Sequence, residues 1–157
     1  MKDTVVVYYS RTGKTRWVAE QLASILDADL EEIRERKDRS GFLGYLGAGK
    51  DAVLKREADL VSRHSVEGRK TVVIGMPVWG WGPPPAVRAY LQKVDLSGKR
   101  ACAFATFDGS GGDRTLSAVG KLIPGGLAAA LGLRKPQPGD PQLAARLREW
   151  AKQVIGG

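Results

Sequence analysis

Cysteine and histidine occur once each in these 157 residues, as Cys102 and His64. A single cysteine excludes an intrachain disulfide and fits a reducing compartment. Cys102 falls inside an apolar stretch, where an inert buried thiol is expected rather than a nucleophile. His64 stands among Ser62, Arg63 and Ser65, ahead of an expected strand, with nothing nearby that gives it a catalytic task. Metal-ligand spacing, paired carboxylates and a Ser-His-Asp arrangement are also missing, so hydrolytic and metal-dependent chemistry have no carrier. Apolar runs are short, and none approaches the ~20 residues that a membrane-spanning helix needs. The chain enters its first expected strand at Thr4, which leaves no room for a leader; the expectation is a cytoplasmic protein.

What is present is a regular alternation of two periodicities. With 43% hydrophobic residues the chain can bury one core, so residues 1–157 read as a single domain, without repeats or linkers. Residues 4–9 are apolar with no polar alternation, as in a parallel strand covered on both faces. Val18, Leu22, Ile25 and Leu26 then recur at helical spacing. Residues 28–33 form a shorter, more polar strand suited to a sheet edge. A helix follows over 48–62, with Val53, Leu54, Ala58 and Val61 on one side, and residues 70–76 repeat the buried-strand signature. Pro84 and Pro85 open a helix to about Val94; residues 100–107 are another buried strand and 114–123 a helix. Residues 127–133 stay open between helix, which their alanines favour, and a fifth strand, which the topology asks for. The last helix has Asp140 as its cap, Pro141 in its first turn, and Leu143, Leu147, Trp150 and Val154 as its apolar stripe. Such alternation implies right-handed crossovers and an α/β fold, a parallel sheet with helices on both faces.

In open sheets of this kind ligands sit beyond the carboxyl ends of the strands. Three loops there are unusual. The first is Ser10, Arg11, Thr12, Gly13, Lys14 and Thr15, between a buried strand and a helix. First-turn amides and the helix dipole favour an anion, the hydroxyls add donors, and Gly13 lets the backbone approach a ligand. The plain alternative is an ordinary hydroxyl cap, for which one side chain would suffice. The second loop holds Pro77, Val78, Trp79, Gly80, Trp81 and Gly82 ahead of a run of prolines. Its tryptophans either stack on a flat ligand or seal a core edge. The third is Thr106, Phe107, Asp108, Gly109, Ser110, Gly111 and Gly112, whose backbone groups either bond a ligand or form a plain surface loop.

Gly13-Lys14-Thr15 suggests a nucleoside triphosphate, yet Tyr8 stands where the Walker pattern requires glycine, and the dinucleotide glycine fingerprint is missing too. From Val6 through Leu22 the sequence instead resembles the FMN phosphate loop of the flavodoxin family, strand-[ST]-x-T-G-x-T-x-x-x-A-x-x-L, with Ser10, Thr12, Gly13, Thr15, Ala19 and Leu22 in place. The resemblance implies a flavodoxin-like doubly wound sheet of five parallel strands in the order 2-1-3-4-5, with FMN as cofactor. It makes Ser10 through Thr15 the phosphate cradle and Pro77 through Gly82 the ribityl and ring-stacking loop. Thr106 through Gly112 becomes the loop around the pyrimidine ring, with Phe107 as a second wall. No added adenine site is recognisable, which disfavours FAD.

One departure bears on function. Electron carriers of the family are generally acidic, whereas this chain has 25 Lys and Arg against 17 Asp and Glu, a formal charge of +8. Positive charge near the flavin stabilises its anionic reduced form and raises the two-electron potential. Three function classes remain open. One is a flavin-dependent oxidoreductase fed by NAD(P)H or a redox partner and acting on a quinone-like or other small acceptor. Another is an FMN electron carrier between protein partners. The third, a module for acidic surfaces or nucleic acid, rests only on the positive balance; the basic residues are dispersed among acids, which argues against it. The segment 34–49, with Phe42, Leu43, Tyr45 and Leu46 between glycines, reads most plainly as a cover for the sheet edge; a lid or a homodimer contact are the alternatives.

Overall fold

The computed structural model describes residues 1–34 and 66–156. The helix expected over 48–62, the apolar side chains Phe42, Leu43, Tyr45 and Leu46, and His64 lie outside them. In chain order the elements are β1 (Thr4–Tyr8), α1 (Lys14–Leu26), β2 (Asp29–Glu32), β3 (Thr71–Pro77), α2 (Pro85–Lys93), β4 (Arg100–Phe107), α3 (Gly112–Lys121), β5 (Ala129–Arg134) and α4 (Pro141–Ile155). The strands form one five-stranded sheet in the order β2-β1-β3-β4-β5, and every pair is parallel.

The centres of β1, β3 and β4 are apolar on both sides because each side meets a helix layer. Val5, Val7, Val72, Ile74, Met76, Ala101, Ala103 and Ala105 join α2 and α3 in one core cluster, through Val87, Tyr90, Leu116 and Val119. Val6, Tyr8, Val73, Cys102 and Phe104 face the opposite layer, against Val18, Ala19 and Leu22 of α1 and Leu143, Leu147, Trp150 and Val154 of α4. Burial pushes the Cys102 thiol up, which keeps it protonated and inert. The stripe read along 143–154 is therefore the packed face of α4, and the Asp140 carboxylate caps that helix by accepting from the Gln142 amide at 2.9 Å.

Two readings change in detail. The ambiguous stretch at 127–133 is β5, paired with β4 from Cys102↔Ala129 to Phe107↔Arg134. Ladder hydrogen bonds to a central strand outweigh the weak helix preference of its alanines. The helix expected from Arg114 begins at Gly112, because Gly111 turns the chain with φ 99° directly ahead of it.

Inside the sheet, Gly75 pairs with Phe104, and the Phe104 ring lies across the glycine. A Cβ on Gly75 would stand 2.1 Å from that ring, which itself meets Trp150 edge-on at 6.4 Å. At the amino-terminal end of the sheet the buried Arg69 donates to the Lys2 carbonyl at 2.6 Å and to the Asp29 carboxylate, with Glu31 at 3.7 Å. The Arg69 hydrogen bond, with the Lys2 amide, holds the Asp29 carboxyl below the usual range.

Gly75→Ala is expected to destabilise the fold by about 3 kcal/mol, the upper range for overpacking a filled core, read from urea unfolding. Asp29 has a lower pKa folded than unfolded, so its stabilisation is complete above about pH 4 and is lost as pH falls through the folded value. Thermal denaturation of Asp29→Asn should accordingly show lower stability at neutral pH and a shallower decline on acidification than the parent.

Candidate functional site

The carboxyl ends of β1, β3 and β4 place all three unusual loops on one edge of the sheet. The backbone ladder runs past the regular strands: the Tyr9 amide donates to the Gly75 carbonyl at 3.0 Å and the Val78 amide to the Thr106 carbonyl at 3.0 Å. On the outer strands the Ile33 amide meets the Tyr8 carbonyl and the Lys135 amide meets the Phe107 carbonyl, each at 2.7 Å.

In the first loop the Ser10 hydroxyl oxygen accepts from the amides of Gly13 and Arg16, both at 3.2 Å. That closes the loop on itself and leaves the amides of Thr12, Lys14 and Thr15 without an acceptor among the described residues. Gly13 has φ 95° and precedes α1 with no side chain of its own to cap it; a Cβ there would meet nothing within 4 Å. First-turn amides without an intrahelical partner are the geometry of an anion cradle. Thr12 is exposed. The Thr15 hydroxyl is buried and bonded to the Thr106 hydroxyl at 2.8 Å, so it fastens the first loop to the end of β4. Lys14 makes a second fastening, an exposed ion pair with Asp108 at 3.1 Å.

The second loop folds back as a two-residue hairpin, in which Trp79 and Gly82 exchange both backbone hydrogen bonds at 2.8 and 2.9 Å. Its tip residues Gly80 and Trp81 have φ 53° and 64°, the positive pair that a type I′ turn demands. The two indoles consequently differ. Trp79 packs against the core, meets Tyr9 edge-on at 6.0 Å and carries the Arg11 guanidinium 4.7 Å above its ring. Trp81 is 59% exposed and held in a left-handed conformation that bulky residues rarely adopt. Gly111 makes room for it: a Cβ there would fall 2.5 Å from the Trp81 ring. Pro77 closes β3, and Val78 packs partly buried against the core beneath the hairpin.

In the third loop Phe107 is partly buried. Its ring lies against Gly112 and Gly132, filling the space between α3 and β5. Asp108, Gly109 and Ser110 are exposed, and the Asp108 carbonyl accepts from the Arg134 guanidinium at 3.2 Å. The sequence reading did not single out Tyr9 or Arg134 for this region. Tyr9 was visible only as the last residue of an apolar run, and Arg134 lay just past the uncertain stretch 127–133.

The flavodoxin family model matches residues 48–133, more than half of the chain, spanning the second and third loops. The chain belongs to the flavodoxin family. No curated protein matches it significantly. Among solved structures this flavodoxin-family chain is similar to a Bacteroides uniformis protein assigned as a flavoprotein, with 23% identity, TM-score 0.75, and 96% of this chain and 97% of that one covered. A Lactobacillus acidophilus flavoprotein solved in complex with FMN gives 19% identity, TM-score 0.66 and coverage of 96% and 99%. Oxidised flavodoxin 2 from Bacillus cereus gives 17%, TM-score 0.61 and 98% of each chain. At such identities the likeness establishes the fold. Among the described residues no group of acidic, histidine and cysteine side chains could hold a metal ion, and no helix is long and apolar enough to cross a membrane.

The hydroxyl bridge between the first loop and β4 is open to a double-mutant cycle. Thr15→Val strands the buried Thr106 hydroxyl and should cost about 2 kcal/mol, whereas Thr15→Val with Thr106→Val should cost less than the two single changes summed, by roughly 1 kcal/mol in denaturant unfolding.

Proposed function

We propose that this protein holds FMN across the three loops and works as a flavin-dependent oxidoreductase. The observation that carries the reading is the pairing of a cradle at Gly13, where the Thr12, Lys14 and Thr15 amides have no acceptor among the described residues, with an exposed indole, Trp81, fixed on the neighbouring loop. A dianionic phosphate suits the first, and a flat, largely apolar ring suits the second. The amides of Thr12, Lys14 and Thr15, with the Thr12 hydroxyl, would hold the phosphate, and Lys14 adds a positive charge. Ser10 serves by keeping the loop closed, since its oxygen is engaged by the Gly13 and Arg16 amides. Trp81 supplies the ring wall, and exposed backbone at Gly109 and Ser110 supplies hydrogen bonds to the polar edge of the ring. Bound FMN would contribute reversible uptake of two electrons; the chain contributes orientation, charge and partial exclusion of water. Trp79 is assigned to holding the hairpin, because its ring is already engaged by Tyr9 and Arg11.

Within this reading the electron donor is NAD(P)H and the acceptor a small, quinone-like molecule stacking against the exposed side of the site. The exposed Trp81 indole favours it, as an apolar platform accessible to a planar acceptor. The basic balance of the chain, +8, favours a second reading, a carrier that docks on an acidic redox partner. A cytoplasmic setting suits either.

The purified protein mixed with FMN should display bound-flavin absorbance bands; their absence at saturating FMN would sink the proposal. Riboflavin, lacking the phosphate, is expected to bind on the order of a hundredfold more weakly. Trp81→Gly should weaken FMN by roughly tenfold to a hundredfold, the worth of one stacking contact, with the melting temperature held because glycine relieves the positive φ. Stopped-flow reduction by NADH or NADPH separates the two readings: direct bleaching of the flavin supports the enzyme, and reduction only through a protein partner supports the carrier.

A further inference from the structure

Aspartate followed by glycine occurs once in the chain, at Asp108-Gly109, and asparagine does not occur at all. Every other aspartate precedes a residue with a side chain, which at Asp140 is a proline without an amide hydrogen. The structure puts this one dipeptide on the exposed part of the third loop, between β4 and α3. The Asp108 side chain is 69% exposed, the Gly109 amide has no acceptor among the described residues, and a Cβ on Gly109 would meet nothing within 4 Å. Two cations engage Asp108 through different groups. The Lys14 ammonium pairs with its carboxylate at 3.1 Å, and the Arg134 guanidinium donates to its main-chain carbonyl at 3.2 Å.

We propose that Asp108 is a site of spontaneous isomerisation to isoaspartate, promoted by Arg134, and that the change moves one negative charge from the first loop to β5. The Gly109 nitrogen attacks the carbon of the Asp108 side-chain carboxylic acid. A C–N bond forms, and the carboxyl OH leaves with the amide hydrogen as water, which gives a five-membered cyclic imide. Water then opens the imide at either carbonyl. Opening at the side-chain carbonyl restores aspartate; opening at the main-chain carbonyl routes the backbone through the side chain, lengthened by one CH2, with no net change of mass. Glycine permits the attack because no Cβ shields its nitrogen. The Arg134 hydrogen bond stabilises negative charge on the Asp108 carbonyl oxygen, which eases loss of the Gly109 amide proton, and it favours the product, in which that oxygen belongs to a free carboxylate. The carboxyl group that met Lys14 becomes a neutral main-chain carbonyl, so this fastening between the first and third loops is lost. The isomerisation stands without the FMN reading, and its consequence for the cofactor rests on it: the exposed backbone at Gly109 and Ser110, assigned to the polar edge of the ring, is displaced by the inserted carbon.

The test ages the purified protein at neutral pH for weeks and follows methyl transfer by an isoaspartyl methyltransferase, with peptide mapping to locate the label. The parent should accumulate isoaspartate at position 108 above every other aspartate, and Gly109→Ala, for whose Cβ there is open space, should lose that signal. No isoaspartate at 108, or equal amounts in Gly109→Ala, overturns the site. Arg134→Gln is expected to slow the accumulation, with Arg134→Lys keeping part of the parent rate. A role as loop anchor alone predicts the opposite sign, since releasing the loop would ease the attack; faster accumulation in Arg134→Gln therefore overturns the promotion by Arg134. The isomerised fraction of the parent should bind FMN about tenfold more weakly than fresh protein, the worth of one lost hydrogen bond, whereas Gly109→Ala should bind it equally before and after ageing. Isoaspartate at 108 with unchanged FMN affinity overturns the consequence for the site. Failure of the fresh parent to bind FMN removes the functional reading alone, because isoaspartate is measured without the cofactor.

Discussion

The parallel backbone ladder between β1, β3 and β4 is the constraint on which the rest of the molecule depends. Its register sets the two apolar faces that the helices cover, and its extension past the strand ends brings three loops, far apart in sequence, onto one line. Because all strands run the same way, the helices that follow β1, β3 and β4 begin at that same edge and direct their positive dipole ends towards it. Backbone direction alone therefore makes the edge attractive to anions before any side chain is considered. The helices opening from the first and third loops start at left-handed glycines, which have no side chain to cap with, and in α1 the Ser10 hydroxyl takes up the Arg16 amide alone of the first turn; α4, whose first turn holds no candidate site residue, is capped by Asp140.

Most of the architecture was legible because it rests on local periodicity. Buried parallel strands are uniform apolar runs, and residues 100–107 show this most clearly, with the same limits in sequence and structure. The β5 strand was legible only through topology, since Ala129, Ala130 and Leu131 carry no strand signal of their own and become a strand through pairing with β4. The positions of the loops followed from the strand-end rule, but their internal contacts did not. The hydroxyl bridge between Thr15 and Thr106 joins residues 91 apart, and no local pattern announces it. The hairpin was hidden for another reason: a type I′ tip ordinarily advertises itself with Asn-Gly, and here the tip is Gly80-Trp81, with the indole at a position that favours small residues.

That hairpin divides two tryptophans, alike in sequence, between different tasks. Trp79 is drawn inward by Tyr9 and topped by Arg11, while Trp81, two residues on, is pushed outward by the turn and supported by the missing side chain of Gly111. Backbone strain at one residue is offset by packing and hydrogen bonding at its neighbours, a balance commonly found where a surface must be ready before its ligand arrives. In the proposed FMN site such a preformed wall would spare binding the ordering entropy of a loop that closes afterwards.

The contact between Gly75 and Phe104 reaches beyond stability. With a Cβ position only 2.1 Å from the ring, the two residues share one volume, so neither can be exchanged independently of the other. A larger residue at 75 demands a smaller one at 104, and a smaller residue at 104 opens a void under Trp150 unless 75 grows to fill it. Relatives of this chain should therefore treat the pair as a single inherited character, changing both positions or neither, and a lineage that crosses from one solution to the other must pass through an intermediate that is either overpacked or hollow.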